Sequence, residues 1–200
     1  YSSGTTGLPK PIVHGHGGIL LEHAKATSLH NDLRPGDRFF WFSSTGWMMW
    51  NYLIGALLSG CSIILYDGSP AWPDMGALWQ LAERSRMTYF GTSAAFITAC
   101  MKAELRPNER YDLGRLRGLG STGSPLTAAG FAWVYEHVGP RIALESLSGG
   151  TDLCTAFVGG ARILPIYAGE IQGASLGADV RALGPGGEPL VGEMGELVIA

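Results

Sequence analysis

The chain has 200 residues, 46% of them hydrophobic and 16% charged, with a formal net charge of −3 at pH 7. This composition excludes a disordered chain and supplies enough apolar material for one large core. The 14 Lys and Arg residues are spread along the sequence rather than gathered into a basic stripe, which argues against nucleic acid as a partner.

The opening stretch, Ser2-Ser3-Gly4-Thr5-Thr6-Gly7-Leu8-Pro9-Lys10, sets four hydroxyls and two glycines beside one of only three lysines. Such a loop suits phosphate: glycine lets the backbone turn its N–H groups toward an anion, hydroxyls add donors, and lysine adds a point charge. The spacing is not that of a Walker loop, because Gly4 and Gly7 are three apart and Lys10 is followed by Pro11 rather than Ser or Thr. Composition alone fits a flexible Ser/Thr/Gly connector equally well.

Short apolar runs then alternate with amphipathic stretches, the pattern of an α/β fold with layered sheets flanked by helices. The sequence predicts strands over Ile12–His14, Arg38–Ser43, Cys61–Tyr66, Thr88–Gly91, Leu116–Ser121 and Ile142–Ser146. Helices are predicted over Gly18–His30, Trp47–Leu58, Met75–Arg84, Ala94–Glu104 and Ala128–Val138. Thr92 or Ser93 is a candidate cap for the fourth helix and Thr127 for the fifth, which stops at Gly139-Pro140. Beyond Gly160, short runs such as Asp179–Leu183 and Leu197–Ile199 lie between Gly/Pro turns. Residues 1–160 are therefore expected to form part of an α/β nucleotide- and acyl-binding core, and 161–200 the start of a smaller β subdomain.

The uncharged stretch Phe39 to Tyr66 has the length of a membrane span, but Ser43-Ser44-Thr45-Gly46 and Ser59-Gly60 are turn chemistry that interrupts one. A buried strand, helix and strand is expected instead, and no membrane association. Cys61, Cys100 and Cys154 show no CxxC spacing and read as buried thiols of a reducing, cytoplasmic compartment. The start at Tyr1 and the stop inside the strand-like run Glu196–Ala200 read as cut ends, so the chain is expected to be an internal piece of a longer one.

Four blocks carry a resemblance. Tyr1–Lys10 resembles the signature loop of the adenylate-forming superfamily, which includes acyl-CoA synthetases, luciferases and adenylation domains of peptide synthetases. Gly120–Leu126 looks like that superfamily's adenine-contacting strand end. Glu145–Asp152 looks like the motif that closes over the nucleotide, and Gly192–Val198 like a late strand of the large domain. The resemblance implies that Ser3, Gly4, Thr5, Thr6, Gly7 and Lys10 hold the β- and γ-phosphates of ATP. It implies that Gly123, Ser124, Pro125 and Ser148 line the nucleotide site, that Thr151 donates to the α-phosphate, and that Asp152 holds Mg²⁺. Relatives mostly carry Glu where Asp152 stands, and the shorter arm leaves room for a bridging water. Acetyl-CoA synthetases carry Glu where Ser124 stands, so an adenine contact there would be through backbone.

The same comparison surrounds the acyl group with Trp47, Met48, Met49, Thr122 and Gly149, although Trp47–Met49 also reads as plain helix core. Acetate-specific relatives have a large aromatic at position 149, so Gly149 implies room for a longer acid and Gly149→Trp a preference shifted toward acetate. Ser148–Asp152, Phe157–Gly160 and Leu164–Gln172 resemble the acetoacetate-activating branch of the acyl-CoA synthetases. Acetoacetate, ATP and coenzyme A are the substrates this implies, with an acyl-adenylate as intermediate. Another short or medium-chain acid, or a non-catalytic nucleotide-binding remnant, are the alternatives. The superfamily's ribose-binding Asp and its lysine on a mobile C-terminal domain fall outside the chain, which alone is expected to lack pyrophosphate exchange.

Two other patterns are weaker. Gly173-Ala174-Ser175-Leu176-Gly177 fits G-x-S-x-G, but no helix is expected after it and no histidine follows it. His14 and His16 would share one face of a strand, without the further ligands that a metal site needs.

Overall fold

Strand β1 (Arg38–Trp41) sends Phe39 and Trp41 to one face and Phe40 to the other, the alternation of a strand covered on both sides. In the computed structural model, which describes residues 8–200, β1 lies inside a five-stranded parallel sheet. Its neighbours are β2 (Ser62–Ile63), β3 (Tyr89–Ser93), β4 (Gly118–Thr122) and β5 (Ala143–Ser146), in the order β2-β1-β3-β4-β5. Strand order reverses between β1 and β3. Right-handed crossovers then put the preceding and following helices on opposite faces.

On one face lie α3 (Ala77–Ser85), α4 (Ala94–Lys102) and α6 (Ala128–His137), whose Leu78, Trp79, Ile97, Phe131 and Val134 pack with Phe40, Phe90, Leu119 and Leu144. A short α5 (Pro107–Arg110) precedes β4. On the other face, Ala26 follows α1 (His16–Lys25), Tyr52 and Leu53 come from α2 (Met48–Gly55), and all three meet Phe39, Trp41 and Tyr89. Space for those rings comes from missing side chains: a Cβ at Gly120 would lie 2.6 Å from Trp41 and 2.8 Å from Tyr89. Ser93 caps α4 by accepting from Phe96 N at 3.2 Å, and Thr127 caps α6 by accepting from Gly130 N at 3.2 Å.

After β5 the chain turns antiparallel. β6 (Ser148–Gly150), β7 (Thr155–Gly159) and β8 (Gly173–Ala174) form one three-stranded sheet, and β9 (Val180–Leu183), β10 (Pro189–Leu190) and β11 (Glu196–Ile199) form another. The turn of Gly184-Pro185-Gly186-Gly187 joins β9 to β10 with Gly187 at φ +84°.

One expectation needs correction. Ile12–His14 is irregular rather than a strand, with Val13 91% exposed. Pro11, just before the run, has no N–H with which to extend a ladder into it. The antiparallel strands begin at Ser148, in a glycine-rich hairpin that shows no apolar alternation. Among the described residues no helix is long and apolar enough to cross a membrane. Phe39–Tyr66 is instead β1, α2, a 3₁₀ turn and β2. All three cysteines are buried and unpaired, and burial pushes the Cys100 thiol up to about 11.

Candidate functional site

Parallel strands gather their carboxyl ends at one edge of a sheet, where the chain leaves in loops free to carry chemistry. β4 ends at Thr122, and Gly123, at φ +88°, turns the chain out to exposed Ser124 and Pro125. β5 ends at Ser146 and runs through Leu147 into β6. The Thr122 hydroxyl donates to Leu147 O at 3.0 Å, tying the two strand ends together.

Three clefts adjoin at this edge. One of about 460 Å³ is lined by Thr122, Gly123, Ser124, Pro125, Ser148 and Gly149 among others. A smaller one of about 150 Å³ shares Thr122 and Gly149 with it and adds Met48, Met49, Tyr52 and Thr151. A third, of about 480 Å³, shares Met48 and Thr151 with the second and adds Ile12, His14, Trp47 and Cys154. Two larger depressions, of about 680 and 870 Å³, lie beside the carboxyl end of β1 and the Trp72-Pro73 loop and contain only Trp47 of the predicted residues.

The sequence-predicted residues thus fall into three groups. Trp47, Met48, Met49, Thr122, Gly123, Ser124, Pro125, Ser148, Gly149 and Thr151 line this trough of adjoining clefts. Asp152 follows Thr151 in the exposed turn between β6 and β7, and Lys10 is exposed two residues before Ile12. Ser3, Gly4, Thr5, Thr6 and Gly7 lie outside the described residues.

Gly149 does more than leave the cleft open. A Cβ built on it would run into the Thr155 carbonyl and sit 2.9 Å from Ala156 Cα, whereas one on Gly150 meets nothing within 4 Å. The missing side chain at 149 therefore accommodates strand β7. A tryptophan there could refill the pocket only by moving that strand.

Tyr52 was not anticipated as a lining residue, although its helical spacing from Met48 on α2 (i, i+4) was visible. Its hydroxyl donates to Asn31 Oδ1 at 2.5 Å, and Asn31 Nδ2 donates to Glu145 Oε2 at 2.7 Å. Tyr89 also donates to that oxygen, at 2.8 Å. Burial pushes the Glu145 carboxyl up to about 7, against the opposing pull of the Tyr89 hydrogen bond and of Arg162. Burial likewise raises the Tyr52 phenol, which keeps its proton and remains a donor.

Among the described residues, neither weaker pattern gathers the partners its chemistry requires. Ser175 is 7% exposed, its N–H donates to Phe157 O at 2.9 Å, and a turn rather than a helix follows it. His14 and His16 are exposed, and among the described residues no three His, Cys, Asp or Glu side chains gather as a metal site would require.

Residues 1–200 match the family model described as AMP-binding enzyme. An acetoacetyl-coenzyme A synthetase of Rhizobium meliloti (strain 1021) is 48% identical over 198 residues, which is 99% of this chain and 30% of that protein. An acetoacetyl-CoA synthetase of Gallus gallus is 44% identical over the same share of each. The chain therefore spans about 30% of the length of the curated relatives it matches. A solved acetoacetyl-CoA synthetase from Streptomyces lividans superposes with a TM-score of 0.95 at 51% identity, covering 100% of this chain and 31% of that one. The anthranilate CoA ligase AuaEII, solved with anthranoyl-AMP, shares the fold at TM-score 0.86 and 23% identity, covering 100% of this chain and 38% of that one.

Proposed function

The chain belongs to the family of AMP-binding enzymes, and from that membership we propose that it forms the nucleotide- and acid-binding part of an ATP-dependent acetoacetate–CoA ligase. The observation that carries the proposal is the trough of adjoining clefts, which share Thr122, Gly149, Met48 and Thr151. Thr151 stands at the junction between the small cleft beside Met48 and Met49 and the cleft that receives the chain just after Lys10. An acid in the small cleft and a triphosphate in the other would meet at Thr151.

In the proposed first step the acid's carboxylate oxygen attacks the α-phosphorus of ATP. The bond to the bridging oxygen breaks, and pyrophosphate leaves with the electron pair. In the second step the thiolate of coenzyme A attacks the acyl carbonyl, AMP leaves, and the thioester remains. No protein nucleophile is required, so catalysis rests on orientation and on donors aimed at spread negative charge. Ser3, Gly4, Thr5, Thr6, Gly7 and Lys10 hold the terminal phosphates in this proposal, and Thr151 donates at the α-phosphate. Gly123, Ser124, Pro125 and Ser148 border the adenine. Asp152 suits Mg²⁺, which takes one or two protein carboxylates and completes its shell with phosphate and water. Magnesium, when bound, neutralises phosphate charge.

The small cleft, about 150 Å³, has room for about five water volumes, which supports a short acid over a fatty acyl chain. The division near residue 160 belongs to the same proposal, its second part holding β9, β10 and β11 as a sheet of their own. So does a cytoplasmic location, which three buried, unpaired thiols support. Pyrophosphate exchange by the full-length protein with acetoacetate, acetate and butyrate tests the reading. Exchange fastest with acetoacetate supports it. Faster exchange with another acid moves the substrate assignment, and none with any acid leaves the nucleotide-binding remnant.

A further inference from the structure

The turn that carries Thr151 and Asp152 does not hold itself. Cys154, which closes it, has φ +56°, a left-handed conformation that a side chain with a Cβ disfavours. Its N–H donates back to Gly150 O at 3.0 Å, which fixes the peptide unit before it. The peptide unit after it is fixed from 131 residues away: His23 Nε2 lies 2.9 Å from Cys154 O. Because a carbonyl oxygen only accepts, Nε2 carries the proton and the bond fixes the tautomer of the ring.

His23 is 4% exposed, near the end of α1. The rest of its ring rests on α2. A Cβ on Gly55 would collide with the imidazole, so glycine at that position makes a seat for it. The Tyr52 ring meets it edge-on, with centroids 5.6 Å apart. Tyr52 also lines the small cleft, together with Met48 and Met49 from the same helix. One imidazole therefore touches the helix that walls the acid cleft and holds the turn that faces the phosphates. Beside it, Thr155 donates to Glu22 Oε1 at 2.7 Å, so consecutive residues of α1 grip consecutive residues of the hairpin.

We propose that His23 is a positioning residue, which sets the turn Thr151–Cys154 in register with the acid-lining helix α2 by donating to Cys154 O from a seat at Gly55. This rests on the proposed ligase reading. Full-length protein carrying His23→Leu keeps most of the side-chain volume and loses the donor, whereas His23→Gln keeps an N–H able to reach the carbonyl. His23→Leu is expected to lower kcat for pyrophosphate exchange about tenfold or more, to weaken calorimetric binding of Mg·ATP about tenfold, and to leave KM for the acid within about twofold. His23→Gln is expected to restore kcat to within about threefold of the wild type.

Gly55→Ala supplies an independent perturbation that favours helix while pushing the ring from its seat. It should reproduce the loss, and the double variant with His23→Leu should be no worse than either alone. Wild-type kcat and ATP affinity in a folded His23→Leu protein overturn the proposal, as does a His23→Gln variant no better than His23→Leu. Absence of exchange by the wild type with every acid sinks the ligase reading alone. The Mg·ATP affinities then still decide whether His23 positions the turn.

Discussion

Replacing Gly149 by alanine is the smallest change that separates two accounts of this glycine. If it merely empties the pocket, one methyl group should narrow the cleft slightly and leave stability alone. The close approach of β7 gives a different outcome. The new Cβ would lie 2.9 Å from both Thr155 C and Ala156 Cα, with the Thr155 oxygen nearer still. Carbon atoms pack at about 3.5–4.0 Å, so the strand must withdraw by about 0.6–1 Å. Overpacking of this kind costs about 1–3 kcal/mol, about 2–12 °C in Tm for a cooperative unit of about 200 residues and less for a larger one. Because Gly149, Thr155 and Ala156 also line the small cleft, withdrawal distorts that wall and KM for the acid rises. Gly150→Ala, whose Cβ meets nothing within 4 Å, is the matched control and leaves Tm nearly unchanged. Thermal melts of the two full-length variants, followed by exchange kinetics, make the comparison. A Gly149→Ala protein melting with the wild type, or a Gly150→Ala protein melting lower than Gly149→Ala, would refute the steric reasoning. By the same geometry, Gly149→Trp is expected to lower exchange with acetoacetate and acetate alike, and a preference shifted toward acetate would contradict it.

Further outcomes follow from the buried network and from the caps. Glu145, raised from 4.5 to about 7 by burial, binds more protons folded than unfolded between those values, so its contribution makes the protein less stable as pH rises through that window. Glu145→Gln removes this dependence, and its stability relative to wild type should grow by about 3 kcal/mol between pH 4.5 and 8; denaturant melts that stay parallel across pH would contradict it. Asp152→Ala should lower exchange about tenfold or more and raise the magnesium needed for half-maximal rate, whereas an unchanged magnesium titration would remove Asp152 from the metal. Ser93→Ala and Thr127→Ala each remove a helix cap and should cost about 1 kcal/mol, read from denaturation midpoints, with exchange kinetics unaltered.

Much of the α/β layer was legible because its signals are local. Phe39, Phe40 and Trp41 announce a strand buried on both faces, and Ser93 and Thr127 stand where α4 and α6 begin. The hairpin of β6 and β7 was illegible because its pairing is set by a backbone approach at Gly149, which leaves no periodic trace. The false strand at Ile12–His14 shows the opposite failure, an apolar run that finds no neighbouring strand. Within the site, motif residues such as Thr122 and Thr151 could be named from resemblance. The supports beneath them could not: Asn31, Glu145 and His23 act across separations of 114 and 131 residues. Only the folded chain brings such partners together.

The most direct test of the trough is a structure of the full-length protein with a non-hydrolysable acyl-adenylate analogue bearing the acetoacetyl group. Its adenine should border Gly123–Pro125, its phosphate mimic should lie within hydrogen-bond reach of Thr151, and its acyl group should contact Met48 and Met49. An analogue bound away from the carboxyl ends of β4 and β5, or with its acyl group outside the small cleft, would contradict the account.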